Sequence, residues 1–540
     1  MTLLEINGLH VSIDRTPILN SLSLELDAGE ILGLAGESGS GKTMTALAIA
    51  GLLPARAKMS GEIILDGVHL SAASEGEFCN LRGRDIGVVF QEPMTALNPV
   101  MTIGHQVAET VRIHRQVSRG DALGLARETL DKVGLPASRF PLDRYPHNLS
   151  GGQRQRVAIA IAIALKPKLL IADEPTTALD VTTQAEILAL FRRLVCDVGT
   201  GLILVTHDLA VIAQTAKRVA VMKEGEIIDH GSIGEVFRAA QQPYVKTLLK
   251  NAVHMPLRSA AREIDANPVL ETRNIVREYP GARKLFGRAA PLRAVDDVSL
   301  QVHANENVGL VGESGCGKST LLRTILGLDR AQAGEVRVFG QRFPAVRKAD
   351  MRHLRQRIQV VFQDPFGTFD PRWRVERIIA ENFHLCDAPP TAAEGRRRVD
   401  EILDRVGMKS SAAKQFPHEF SGGQRQRIAI ARALISEPAI IALDEAVAAL
   451  DVSIRAQILD LLAELSDRLG VSCLFVTHDL SVVRSITDRV LVMKDGRIVE
   501  QGRTEDVFSS PQHPYTIELL AAVPDLGRAL ALAGVESSSS

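Results

Sequence analysis

Short, almost purely apolar runs recur along this chain, at Ile31–Ala35 and at residues 169–172, 202–205 and 440–443, and longer stretches with helical spacing separate them. A strand covered on both faces needs a continuous apolar run, so the alternation predicts parallel sheets with crossover helices. Phrases rich in glycine, or closed by acids, follow several runs, which is where open α/β sheets hold ligands. The longest purely apolar stretch, residues 157–165, is about half of the roughly 20 residues that a bilayer-spanning helix needs. No membrane-crossing helix is therefore expected. The opening residues lack the basic region, apolar core and small-residue cleavage site of a secretory signal, and the expectation is a cytoplasmic chain.

The whole pattern occurs twice. Gly36, Glu37, Ser38, Gly39, Ser40, Gly41, Lys42 and Thr43 are answered by Gly312, Glu313, Ser314, Gly315, Cys316, Gly317, Lys318 and Ser319. Gln91 is answered by Gln363, and Ser150, Gly151, Gly152 and Gln153 by Ser421, Gly422, Gly423 and Gln424. The acid pair Asp173 and Glu174 returns as Asp444 and Glu445, and Thr206-His207-Asp208 as Thr477-His478-Asp479. Five motifs in one order at a nearly constant displacement require a duplicated domain. The expected division is a first domain over residues 1–250, a linker over 251–267 with neither strand alternation nor a helical face, and a second domain over 268–525. Residues 526–540 thin to small residues and four serines, which predicts a flexible tail.

Bulk composition narrows the class. A length of 540 residues suits two domains. A net charge of −1 with 24% charged and 45% hydrophobic residues describes a globular protein and gives no footprint of nucleic-acid binding. Cys79, Cys196, Cys316, Cys386 and Cys473 are scattered, with no Cys-x-x-Cys pair, so neither disulfides nor a metal-thiolate site is expected.

The glycine-rich loops follow an apolar run and precede helix-compatible stretches at residues 44–53 and 320–328, the context a phosphate cradle needs. Glycines let backbone N–H groups converge on phosphate oxygens, the helix N-terminus adds a favourable field, and Lys42 or Lys318 neutralises the terminal phosphates of a nucleotide. Thr43 and Ser319 would hold Mg²⁺. Each acid pair closes a buried strand: Asp173 or Asp444 can complete the Mg²⁺ shell, and Glu174 or Glu445 can polarise an attacking water. Cys316 lies at the edge of a helix N-terminus, where a thiolate is favoured; a small residue that fits the loop is the simpler reading.

Leu149-Ser-Gly-Gly-Gln153 and Phe420-Ser-Gly-Gly-Gln424 resemble the signature sequence of ABC ATPases, and the likeness spans nearly the whole chain. The resemblance implies two tandem P-loop NTPase domains, each an α/β unit with a RecA-like mixed sheet core, an antiparallel β subdomain and a helical signature subdomain. It also implies a head-to-tail sandwich in which the signature of one copy closes over ATP held by the other. In that arrangement Lys42, Glu174 and His207 face Ser421, while Lys318, Glu445 and His478 face Ser150. A Ser-Gly-Gly turn that opens a helix offers N–H donors to an anion, in keeping with this role. By the same resemblance Gln91 and Gln363 touch Mg²⁺ and report to a membrane partner, His207 and His478 contact the γ-phosphate, and Asp180 and Asp451 lie on the loop between the sites. Tyr279 matches the aromatic residue that stacks on adenine, whereas the first copy has Ile13 near that place. Ala446 and Ala448 replace the usual proline and hydroxyl residue of the second copy, so unequal sites are expected.

Two further phrases are similar to the oligopeptide and dipeptide importer branch: Glu92-Pro-Met-Thr-Ala-Leu-Asn-Pro99 with Asp364-Pro-Phe-Gly-Thr-Phe-Asp-Pro371, and Gln242-Pro-Tyr244 with Pro511-Gln-His-Pro-Tyr515-Thr516. As local chemistry such strings say little more than turn. The branch implies one fused chain at the cytoplasmic face of the inner membrane, beneath two transmembrane permease subunits served by an extracytoplasmic solute-binding protein. Cysteine-rich C-terminal motifs found in relatives are missing, so no iron–sulfur cluster is expected. Nickel or glutathione import is the alternative cargo reading, and a ribosome-associated ABC protein the alternative class; the short, mixed linker speaks against the latter.

Overall fold

The computed structural model describes residues 2–536 apart from 178, 258–266, 282–289, 345–347, 387 and 448–449. Each copy is built on a six-stranded sheet. In the first, the order across the sheet is Glu226–Ser232, Arg218–Lys223, Ile31–Ala35, Gly201–Val205, Leu169–Asp173 and Ile86–Val89. The second repeats this order with Arg497–Arg503, Arg489–Lys494, Asn307–Val311, Ser472–Val476, Ile440–Asp444 and Ile358–Val361. All neighbours pair in parallel except the first two strands in each order, so the expected parallel sheet carries one antiparallel edge. Every residue of Ile31–Ala35 and Gly201–Val205 is buried, as helices on both faces demand.

A second, antiparallel sheet of four strands stands beside each core. Its long strand Thr16–Asp27 buries Leu22, Leu24 and Leu26 and exposes Ser23, Glu25 and Asp27, the period-2 pattern of a half-covered strand. A helical unit follows, in which Ile103–His114, Arg119–Lys132 and Gly151–Ile163 pack through Val107, Val111, Ala126, Leu130 and Val157. Its counterpart in the second copy uses Val375–Ala380, Ala392–Arg405 and Gly422–Leu434.

Residues 526–536 differ from the expectation of a flexible tail over 526–540, and 537–540 lie outside the described residues. The described part forms a helix, Leu526–Glu536, whose start is capped by Asp525 accepting the Arg528 N–H at 2.8 Å. Leu526 and Ala529 are buried, with Leu530 beside them, against Leu209, Ile212, Val236 and Phe237 of the first copy. Composition over the segment is thin, but its apolar residues fall at i, i+3 and i+4 and make one stripe. That stripe is covered only because the other copy supplies a surface, a long-range fact that local composition does not carry. The region read as a linker also begins in contact. Asn251 Nδ2 donates to Ser453 Oγ at 2.9 Å, and His254 Nε2 meets Asp460 Oδ1 at 2.7 Å, both on the second copy's helix Val452–Leu469. Most of the remaining linker, residues 258–266, lies outside the described residues.

Candidate functional site

The phosphate loops connect strands Ile31–Ala35 and Asn307–Val311 to helices Lys42–Ile49 and Lys318–Ile325. Gly36 and Gly312 adopt φ of 147° and 151°. A Cβ there would lie 2.4 Å from the Met222 carbonyl oxygen and 2.2 Å from that of Met493. Only glycine passes both tests, so the loop's entry is fixed by close approach to the neighbouring strand. Lys42 Nζ donates to the carbonyls of Gly36 and Glu37 at 2.8 and 2.7 Å, and Lys318 Nζ to those of Gly312 and Glu313 at 2.6 and 2.9 Å. Burial pushes the Lys42 ammonium below its ordinary value, opposed first by the negative charge of Glu174. Both amines are thus buried and held by carbonyl oxygens that an incoming phosphate would displace.

The acid pairs lie at the ends of Leu169–Asp173 and Ile440–Asp444. Glu174 and Glu445 have φ of 46° and 48°, left-handed conformations that cost non-glycine residues about 1–3 kcal/mol and persist only where surroundings enforce them. Here Glu174 N–H bonds the Val205 carbonyl at 2.9 Å and Glu445 N–H the Val476 carbonyl at 2.8 Å, on the adjacent strand. Around Glu174 gather His207 Nδ1 at 3.0 Å, Gln91 Nε2 at 2.8 Å and Thr177 Oγ1 at 2.9 Å. Around Glu445 gather His478 Nδ1 at 2.9 Å and Gln363 Nε2 at 2.6 Å. Burial alone would push both carboxyls up, but the histidine hydrogen bonds foremost leave them below the ordinary glutamate value. The place of Thr177 is taken by Ala448, which lies outside the described residues; alanine has no hydroxyl to offer.

Among the described residues, no partner meets the buried Oδ1 carboxylate oxygen of Asp173 or that of Asp444. Burial, then the adjacent Glu445 charge, pushes Asp444 up to about 6. Burial likewise raises Asp173, against a hydrogen bond from Thr43. A buried carboxylate oxygen without a hydrogen-bond partner, on a carboxyl that burial raises, suits a hard divalent cation that takes oxygen ligands. The residues therefore fit Mg²⁺.

The two copies meet head to tail. Ser38 N–H donates to Asp451 Oδ1 at 3.0 Å and Ser314 N–H to Asp180 Oδ2 at 3.4 Å, so each phosphate loop receives a carboxylate from the other copy. Thr182 Oγ1 adds a bond to Glu313 Oε1 at 2.7 Å. Ser150 and Ser421 cap their helices, each in a reciprocal bond with Gln153 or Gln424. Ser150, Gly151, Ser421 and Gly422 are exposed. Among the described residues no direct hydrogen bond joins either signature serine to the opposite loop.

Tyr279 ends the strand Pro268–Tyr279, with the Arg277 guanidinium 4.5 Å from its ring centroid and its hydroxyl donating to Asp329 Oδ2 at 3.1 Å. One face of the ring is therefore already engaged. Cys316 is buried 3.9 Å from Lys318 Nζ, and burial pushes its thiol up, which favours the simple packing reading over redox chemistry. Sequence reasoning passed over Tyr244 and Tyr515, whose hydroxyls reach the phosphate loops. Their recurrence in the two terminal phrases was the available signal.

Residues 19–177 and 295–448 match the ABC transporter family, and residues 499–539 match the C-terminal region of oligopeptide/dipeptide transporters. The chain is 43% identical over 546 residues to the glutathione import ATP-binding protein GsiA of Pectobacterium atrosepticum, covering 94% of this chain and 87% of that protein. It is 44% identical over 538 residues to GsiA of Escherichia coli O157:H7, covering 94% and 86%. Among solved structures, the dimeric bacterial ABC transporter cassette MJ0796 is 29% identical with a TM-score of 0.40, covering 44% of this chain and 98% of that one. Two cassettes each lend an aspartate to the other's phosphate loop and are joined to a peptide-transporter C-terminal region: the chain belongs to the ABC transporter family, oligopeptide/dipeptide importer branch, as an ATPase subunit with both cassettes in one polypeptide.

Proposed function

We propose that this chain powers uptake of a peptide-like solute, glutathione or a short peptide, by closing its two cassettes over two ATP molecules. The reading is carried by the reciprocal aspartate bonds, Asp451 to Ser38 and Asp180 to Ser314, which bring both phosphate loops to one interface. At site one the loop residues 36–43 cradle the phosphates and the signature at Ser421 closes from the other copy. At site two the loop residues 312–319 and Ser150 take those parts. Glu174 and Glu445 accept the proton of the attacking water as its oxygen bonds the γ-phosphorus and the bond to ADP breaks. Their carboxylates suit this work because the histidine hydrogen bonds keep them ionised. Gln91 and Gln363 hold those carboxylates before nucleotide arrives and connect the site to the segments that follow them. Thr43, Gln91 and Asp173, and in the second copy Ser319, Gln363 and Asp444, would hold Mg²⁺, which supplies charge neutralisation at the phosphates. Tyr279 stacks on adenine at site two.

Closure works because the γ-phosphate touches both copies, so ATP binds the closed state better than the open one, the differential affinity that any ligand-driven shift requires. No helix among the described residues is long and apolar enough to cross a membrane. In keeping with its importer relatives, the chain works at the cytoplasmic face of the inner membrane beneath two permease subunits, and a solute-binding protein delivers cargo. Co-expression with permease subunits of the oligopeptide/dipeptide importer branch tests this reading. A stable complex whose ATPase rises when binding protein loaded with glutathione or a dipeptide is added supports it. A chain that ignores the permeases and co-sediments with ribosomes contradicts it.

A further inference from the structure

Each copy ends in a helix opened by proline and tyrosine, Pro243–Ala252 in the first and Pro514–Ala521 in the second. Proline suits the first helical position, where its missing N–H costs nothing, and it sets the tyrosine one residue in. Tyr244 Oη accepts the Glu37 backbone N–H at 3.4 Å, and Tyr515 Oη accepts that of Glu313 at 3.0 Å. These N–H groups belong to the peptide units Gly36–Glu37 and Gly312–Glu313, whose carbonyls bind Lys42 Nζ and Lys318 Nζ. One peptide plane is thus gripped at both ends, by the tyrosine on its N–H and by the loop lysine on its C=O. The next N–H along, of Ser38 or Ser314, goes to the aspartate of the opposite copy.

Both rings are clamped as well. Lys223 Nζ lies 5.2 Å from the Tyr244 ring centroid and Lys494 Nζ 4.4 Å from that of Tyr515, each from the end of the strand beside its phosphate loop. Burial pushes the Tyr244 hydroxyl up to about 12 and raises that of Tyr515 as well, so both stay protonated. The same segments touch the opposite copy: Asn251 and His254 bind Ser453 and Asp460, and Tyr515 packs in one cluster with Val181, the residue after Asp180.

We propose that Tyr244 and Tyr515 are positioning residues for ATP: each hydroxyl fixes the first peptide of its phosphate loop, on a helix that also registers contact with the other copy. The restraint gains weight when nucleotide binds. Lys42 or Lys318 then turns from the carbonyl to the phosphates, and the tyrosine remains as the hold on that peptide. Losing the hydroxyl therefore weakens ATP binding more than it destabilises the nucleotide-free chain.

Tyr244→Phe and Tyr515→Phe keep the rings and remove only the hydroxyls. In the full chain bound to its permeases, each substitution raises the KM for ATP by about 2- to 10-fold, the range spanned by one hydrogen bond. The turnover rate at saturating ATP falls less than KM rises, and the nucleotide-free melting temperature holds. Titration of the purified chain with a fluorescent ATP analogue and Mg²⁺ reads the same loss. Unchanged KM in both variants, or KM and melting temperature worsening together, overturns the proposal. Amide hydrogen exchange on the unmodified chain gives a second reading that needs no variant: with a non-hydrolysable ATP analogue bound, the Glu37 and Glu313 amides exchange slowly, and fast exchange at both overturns it.

Discussion

Glu174 and Glu445 show how a residue's role depends on a backbone conformation that sequence does not announce. Their acid character and place after an apolar strand were legible, as was the pairing with a phosphate loop. Their left-handed φ was not, because it arises from bonds to Val205 and Val476 on a neighbouring strand. The two copies also differ around these carboxylates. Glu174 has the Thr177 hydroxyl, while the second copy has alanine there. Arg455 pairs with Asp479, next to His478, at 2.9 Å, and the first copy carries Gln184 in the matching place. Replacement of either glutamate by glutamine is expected to lower the ATPase rate of the permease complex by about 10²–10⁴ at that site, the usual worth of a general base. The two substitutions are further expected to lower total turnover unequally. Equal losses from Glu174→Gln and Glu445→Gln, with equal ATP affinities at the two sites, would contradict unequal sites.

At the scale of elements, the core strands were plain in the sequence because burial on both faces writes a continuous apolar run. The antiparallel edge strand of each six-stranded sheet was not. Glu226–Ser232 and Arg497–Arg503 are polar and only half-buried, as edge strands are, and their patterns carry no apolar run. The helix Leu526–Glu536 was missed for a related reason, since its stripe is meaningful only against Ile212 and Phe237 of the first copy. Removing residues 526–540 should leave both cassettes folded but strip that cover. Leu526 alone is 7% exposed, and losing a buried leucine side chain costs about 2–5 kcal/mol. Thermal unfolding of the truncated chain is expected to begin several degrees lower, with the first cassette melting earlier. An unchanged melting profile would mean the helix does not hold to that surface in solution.

For the whole molecule, duplication was read from five repeated motifs, but the way the copies meet was available only from the resemblance. The structure grounds it in Asp180 and Asp451, which are N-terminal to the helices Val181–Val198 and Val452–Leu469 and reach across to the other phosphate loop. Asp180→Ala and Asp451→Ala each remove a charge-assisted bond, and such bonds contribute about 1.5–3 kcal/mol. Each is expected to weaken ATP-induced closure and raise the ATP concentration needed for half-maximal turnover, with the double substitution worse than either.

The most direct test of the account is the stoichiometry of closure. The Glu174→Gln, Glu445→Gln chain, unable to discharge its nucleotide, is loaded with ATP and Mg²⁺ and its mass measured by light scattering alongside bound nucleotide. One chain that retains two ATP molecules and does not associate is the predicted result. ATP-driven pairing of two chains, with single chains unable to hold nucleotide, would contradict closure of the two cassettes within one polypeptide.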